Sequence, residues 1–248
     1  MRPHDRLLRP FGPLAIAAAC AACGERYVTS PVALAPDVAR TVAVATVVVG
    51  PGTDAGWTMQ AHGASRALFA GPVSRDGEGR GSLAVVRGAR FQVGTGHADG
   101  ALVRTEQFAG TPLSDLTALG FSTYVSQRGR ADATPFLILA IDLDGDGYVD
   151  DHLMYRPAPA LGVWQAWDAL AGEWWSNSGI GSPDARGYRT LAGYRAAAPK
   201  ARLASALTIG AWDVGGSAPL EAQVDQLVVG IGGRTTMFRF GLPTSAAK

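Results

Sequence analysis

Five aspartates fall within ten positions in the segment Asp142-Leu143-Asp144-Gly145-Asp146-Gly147-Tyr148-Val149-Asp150-Asp151. Alternating carboxylates on a glycine-punctuated loop can converge on one hard cation, since Ca2+ takes about six to eight oxygens at roughly 2.3–2.6 Å. Without a cation, the mutual repulsion of these carboxylates opposes a tight turn. Asp142, Asp144, Asp146 and Asp150 are the expected ligands, with Asp151 and the Tyr148 carbonyl in reserve. The plain alternative is a solvated hairpin turn, because Asp and Gly favour turns on their own account.

A second constellation is aromatic. Trp164, Trp167, Trp174 and Trp175 share the window WQAWDALAGEWW with Asp168 and Glu173. Exposed rings beside carboxylates suit sugars, stacking on C–H faces while the acids accept from hydroxyls. Buried rings would instead fill the core, each seeking one partner for its N–H. In a single strand adjacent residues face opposite ways, so Trp174 and Trp175 cannot both be core. Asp168 and Glu173 could also form an acid and nucleophile pair for glycoside hydrolysis, which needs carboxyls roughly 5–9.5 Å apart, although two carboxylates at this spacing are too common to be specific. His62, His97 and His152 stand alone, without an H-E-x-x-H string, and Gly94-x-Gly96 reads as a loop. No G-x-S-x-G or Walker-type string occurs, so nothing supports acyl transfer, nucleotide binding or dinucleotide binding.

The N-terminus has the secretory pattern: a basic start at Arg2, Arg6 and Arg9, an uncharged Phe11 to Ala22 stretch, and small residues at its exit. The stretch is shorter than the roughly 20 residues of a spanning helix. Ala17-Ala18-Ala19-Cys20 resembles the lipobox of bacterial lipoproteins, which makes Cys20 the expected lipidated residue. Cys23, followed by Gly24, is the other candidate, and cleavage after an Ala without lipidation is the third reading. The expected organisation is a signal peptide over 1–19, a lipidated N-terminus and tether over 20–40, a folded domain over 41–243 and a disordered tail over 244–248. The expected location is extracytoplasmic: membrane-anchored in the periplasm or at the cell surface, or alternatively secreted.

Composition bounds the folded part. Without residues 1–19 the formal charge is −1, so neither nucleic acid nor an anionic membrane surface is called for as a partner. There is no cysteine after Cys23, hence no internal disulfide, and stability must come from burial. Five Glu against sixteen Asp, with 32 Gly and 15 Pro, describes turns rather than helices. Short strands are expected at Thr41 to Val49, Ser82 to Val86, Arg90 to Val93 and Gly120 to Ser126. Phe136 to Ile141, apolar throughout, should pair with His152 to Arg156 across the acidic loop. Gln223 to Gly230 and Thr235 to Phe240 should form a second hairpin around Gly230, Gly232 and Gly233. One short helix is expected over Thr190 to Ala198.

Two resemblances add to this. The acidic string resembles the calcium loop of EF-hands and dockerin-like repeats at Asp142, Asp144, Asp146, Gly147 and Asp150. It departs from them at Leu153, where a bidentate Glu would stand, and no helix flanks it. Taken together, LSDL leading into FSTY, the FLILAIDLDGDGYVDDHLMYRP hairpin, the WQAWDAL-x-x-x-WW box and the closing VDQLVVGIGGRTTMFRF resemble a group of uncharacterised bacterial extracytoplasmic domains. That resemblance covers most of residues 55 to 241 and implies a jelly-roll-like β-sandwich with no established activity. Val224-Asp225-Gln226-Leu227 also looks like the last strand of jelly-roll carbohydrate-binding modules, which makes Asp225 a further candidate metal ligand. The expectation is an all-β antiparallel sandwich of jelly-roll type with one short connecting helix. The expected function is that of an exported, lipid-anchored, non-catalytic envelope protein, stabilised by Ca2+ and binding a glycan or a surface partner. The competing expectation is a secreted glycan-active hydrolase using Asp168 and Glu173.

Overall fold

The structure, a computed structural model, describes residues 44–69, 88–180, 187–212 and 217–241. The expected signal peptide, Cys20, the tether, the strand at Ser82 to Val86 and the C-terminal tail lie outside those residues.

In chain order the strands are β1 (Val44–Val49), β2 (Trp57–His62), β3 (Arg66–Phe69), β4 (Ala89–Val93), β5 (Gly100–Thr105), β6 (Leu116–Gln127), β7 (Phe136–Asp142), β8 (Asp151–Tyr155), β9 (Trp164–Asp168), β10 (Glu173–Ser176), β11 (Tyr188–Thr190), β12 (Arg202–Trp212), β13 (Leu220–Ile231) and β14 (Arg234–Phe240). They form two seven-stranded sheets. In the first, β13 is flanked on one side by β4 and β14 in succession and on the other by β6; β3, β1 and β9 lie outermost. The second runs β11-β10-β8-β7-β12-β5-β2.

The chain passes repeatedly between the sheets. β4 and β6 sit on either side of β13, while β5 and β7 sit on either side of β12. This alternation is the jelly-roll wrapping, and it makes an all-β sandwich. One pairing departs from the expected antiparallel order, because β1 runs parallel to β14, with Val44 opposite Thr235. β1 crosses to the other sheet straight after its loop, so no hairpin constrains its direction.

Alternation explains the core. β4 reads buried at every second residue, as a strand with one covered face should. β7 is apolar almost throughout; Leu137, Leu139 and Ile141 point inward while Phe136, Ile138 and Ala140 line the outer face. Trp57 meets Phe238 and Phe240 edge-on, each with ring centroids 5.2 Å apart, and so ties the two sheets together.

The expected hairpins form. The β13–β14 turn is Gly232-Gly233, both at positive φ, as a two-residue turn matched to strand twist requires. Gly230 lies within β13 instead, where a Cβ would stand 2.7 Å from the Ala118 nitrogen. Among the described residues the one α-helix, α1 (Leu191–Ala197), starts at Thr190, whose hydroxyl accepts from the Gly193 N–H at 3.1 Å.

Candidate functional site

The acidic loop closes the β7–β8 hairpin. Asp142, at the end of β7, is fully buried, and its two oxygens accept from the Gly145 and Gly147 N–H groups at 2.6 and 3.0 Å. Gly145 and Gly147 have φ of 93° and 91°, a conformation a side chain would resist, and this folds the loop back over the carboxylate. Burial pushes the Asp142 pKa up, but the Gly145 and Gly147 donors and the Arg202 guanidinium outweigh it and leave the carboxyl below its usual value.

Asp144 and Asp146 are exposed and bend the loop further, accepting from Asp146 N–H at 3.1 Å and Tyr148 N–H at 2.8 Å. One oxygen from each of Asp142, Asp144 and Asp146 lies within 4.8 Å of the others. Oxygens bound to one Ca2+ at roughly 2.3–2.6 Å stand no farther apart than about 5 Å, so the spacing fits that ion. Asp150 is not in this group: its carboxylate accepts from Leu143 N–H at 2.8 Å and clamps the mouth of the hairpin.

Asp151 corrects the sequence expectation. It faces the interior, where Oδ2 accepts from Ser176, Ser178 and Tyr194 hydroxyls, each at 2.7 Å. Its Oδ1 accepts from the Ser178 and His152 N–H groups at 2.9 and 2.8 Å. A carboxylate so enclosed by protein donors is a structural hub, not a loop ligand. Burial works against its charge, but the Ser176, Ser178 and Tyr194 donors prevail and lower its pKa. Burial and the bond to Asp151 raise that of Tyr194. The Arg189 guanidinium lies over the Tyr194 ring, 4.9 Å from its centroid.

Asp225 is likewise placed elsewhere. It is buried on β13, in the other sheet, and accepts from the Phe240 N–H at 2.9 Å. It sits at a bulge where Gln226 takes a φ of 53°, and among the described residues it joins no metal-sized cluster.

The tryptophans divide. Trp167 and Trp174 are core residues, 1% and 0% exposed, with their N–H groups on Thr123 Oγ1 at 2.9 Å and the Ala169 carbonyl at 2.7 Å. They are therefore not ligand rings: alternation along β9 and β10 turns Trp167 and Trp174 inward and leaves Trp164 and Trp175 facing out. Trp164 is 39% exposed, and Trp175 is half-buried on the outer face of the second sheet. No single four-ring platform exists.

What the sequence missed is the partner of Trp164. Register aligns Leu68, Arg90, Gln223, Tyr124 and Trp164 in one row across β3, β4, β13, β6 and β9 on the outer face of the first sheet. The Tyr124 and Trp164 rings lie 5.7 Å apart, tilted by 37°. Beside them Glu221 is held by Arg90 at 3.5 Å and Gln92 at 3.5 Å, and Gln223 Oε1 has no hydrogen-bond partner. Four strand spacings of about 4.8 Å give the row a length of about 19 Å. A cross-strand partner cannot be found from sequence spacing alone, since Tyr124 and Trp164 are brought together only by register.

Asp168 and Glu173 stand on different sheets, at the end of β9 and the start of β10. Asp168 accepts from the Ala171 N–H at 3.1 Å and so shapes the turn between them.

Fold and site together define the class: an all-β, jelly-roll-type sandwich with an acidic hairpin loop and an aromatic row on one outer face. No protein-family model matches the chain, and no curated protein sequence does. Among solved structures, a similar one is a family 11 carbohydrate-binding module from Clostridium thermocellum, in complex with a beta-1,3-1,4-mixed-linked tetrasaccharide. It is 13% identical over 72% of this chain and 90% of that one, with a TM-score of 0.34.

The Asp151 hub has a definite pH signature. Its pKa is lowered on folding, so its stabilisation is complete above the unfolded carboxyl pKa of about 3.9 and is lost as pH falls through the lower folded value. Urea unfolding should show Asp151→Asn less stable than the parent at pH 7 by at least about 1.5–3 kcal/mol, the scale of one charge-assisted hydrogen bond. The difference should narrow toward pH 3. Equal stability at pH 7 would exclude the hub.

Proposed function

We propose that the chain is an exported, lipid-anchored, non-catalytic envelope protein that binds a glycan on the outer face of its first sheet and is stabilised by calcium at the β7–β8 loop. The observation that carries the glycan reading is the exposed Trp164 ring beside the half-buried Tyr124 ring, in register with Gln223 and Arg90. Rings of this kind supply apolar area for sugar C–H faces, and neighbouring amide and guanidinium groups supply hydrogen bonds that orient the hydroxyls. Trp164 is the principal stacking residue; Trp175, on the opposite sheet, is outside this row.

Calcium is supported by three carboxylate oxygens within one ion's reach. Asp142, Asp144 and Asp146 would hold the ion, which would neutralise the loop and lock its turns. Export gives this reading its sense, because extracellular calcium fills even sites of millimolar-range affinity. The N-terminal Arg2 to Cys20 pattern supports export and anchoring at the bacterial membrane.

Three measurements check these points. Calcium should raise the melting temperature of the parent protein and chelator should reverse the rise, while Asp144→Asn with Asp146→Asn should abolish the response; identical melting with calcium and with chelator would sink the metal reading. In calorimetric titration against neutral oligosaccharides, Trp164→Ala should weaken binding at least about tenfold, or about 1.4 kcal/mol, without lowering stability. In bacterial expression, Cys20→Ser should move the protein from the membrane to the soluble fraction, and an unchanged membrane fraction would point to Cys23 or to another attachment.

A further inference from the structure

The second sheet has an aromatic surface of its own on the opposite side of the molecule, at Trp212. This residue ends β12, and its ring lies across two glycines. A Cβ on Gly100, its cross-strand partner on β5, would stand 2.5 Å from the indole Nε1. One on Gly210, two residues earlier on β12, would stand 2.6 Å from Cζ3. Neither glycine has a positive φ, so the backbone does not call for glycine at either position. Their effect is to clear the sheet beneath the indole, which therefore lies flush with the surface.

The ring is also stacked with Phe136 of β7, centroids 5.3 Å apart and planes 18° from parallel. The buried side of Trp212 is thus the side against the sheet, yet the residue as a whole is only partly buried. Polar residues share its face of the sheet. His62 and Gln60, both exposed on β2, stand in the rows of Gly100 and Leu102. The Arg156 guanidinium lies 5.5 Å over the Phe136 ring. A flat indole with an imidazole and an amide two strands away on the same face matches a sugar chain: apolar C–H groups against the aromatic face, hydroxyls toward the polar side chains.

We infer that Trp212, with His62 and Gln60 on the same face, forms a second glycan-binding platform for a neutral sugar chain, on the sheet opposite the Trp164 row. The inference takes its ligand class from the glycan-binding reading above, but none of its residues. Two platforms on opposite faces let one chain hold two glycan strands, or two stretches of one. Apparent affinity for a polymer then exceeds that for an oligosaccharide, because the second contact is intramolecular.

The test is a titration of the whole folded protein with cellohexaose, xylohexaose and mannohexaose, following the tryptophan indole N–H signals by heteronuclear NMR. With the hexasaccharide that binds, the Trp212 and Trp164 signals should both move. In Trp164→Ala the Trp212 signal should still move, and in Trp212→Phe the Trp164 signal should still move. His62→Ala and Gln60→Ala, both at exposed positions, should weaken the Trp212 response several-fold and spare that of Trp164, which keeps the test open if Trp212→Phe folds poorly. A Trp164 response with a still Trp212 signal, or a Trp212 response that vanishes in Trp164→Ala, would overturn the second platform and leave the first. No movement of either signal with any of the three would overturn both.

Discussion

A carboxylate taken out of water is tolerated only when donors converge on it, and that constraint organises this sandwich. Asp151 shows it most fully. It joins β8 to the end of β10 through Ser176, to the segment that follows through Ser178, and to α1 through Tyr194. Asp142 does the same for the β7–β8 loop, and Asp225 for the join between β13 and β14. Asp99 gathers the Ala64 and Gly96 N–H groups at 2.7 Å each, holding the β2–β3 turn against the β4–β5 loop. With no cysteine beyond Cys23, such buried acids take up the cross-linking of loops that disulfides serve in other domains.

The same constraint separates the acidic loop into two kinds of aspartate. Asp142 and Asp151 mark the ends of the two strands and turn inward, where backbone and hydroxyl donors meet them. Asp144 and Asp146 lie on the solvent side and spend one oxygen each on the turn. The loop is therefore shaped by its own N–H groups, and a cation would act on a geometry already present. That is the arrangement in which an ion adds stability without having to build its site.

On the outer faces the governing factor is strand register. Trp164 meets Tyr124 because β9 pairs with β6 in one particular alignment, and Trp212 lies flat because Gly100 and Gly210 fall beneath it in another. Slipping either pairing by one residue would send each ring to the opposite face. The interior rings depend on register as well: Trp167 reaches Thr123, and Trp174 is carried inward by the alternation that leaves Trp175 outside.

Much of this was legible in the residues alone. Composition and β-branched runs specify an all-β chain, the Gly232-Gly233 pair specifies a hairpin, and Thr190 marks the start of α1, because turn chemistry, alternation and capping are local properties. The clustering of Asp142, Asp144 and Asp146 was legible for the same reason, since neighbours in a tight loop stay neighbours in space. Local information could not tell a loop ligand from a hub, so Asp151 looked like a metal residue until its donors, supplied by residues up to 43 positions away, were in place; Asp225, a candidate by resemblance alone, meets its Phe240 donor across the sheet. Nor could it divide the WQAWDALAGEWW window into core and surface, or single out Tyr124, Gly100, Gly210 and Trp212. Those assignments depend on which strand lies beside which, and only the tertiary structure decides that.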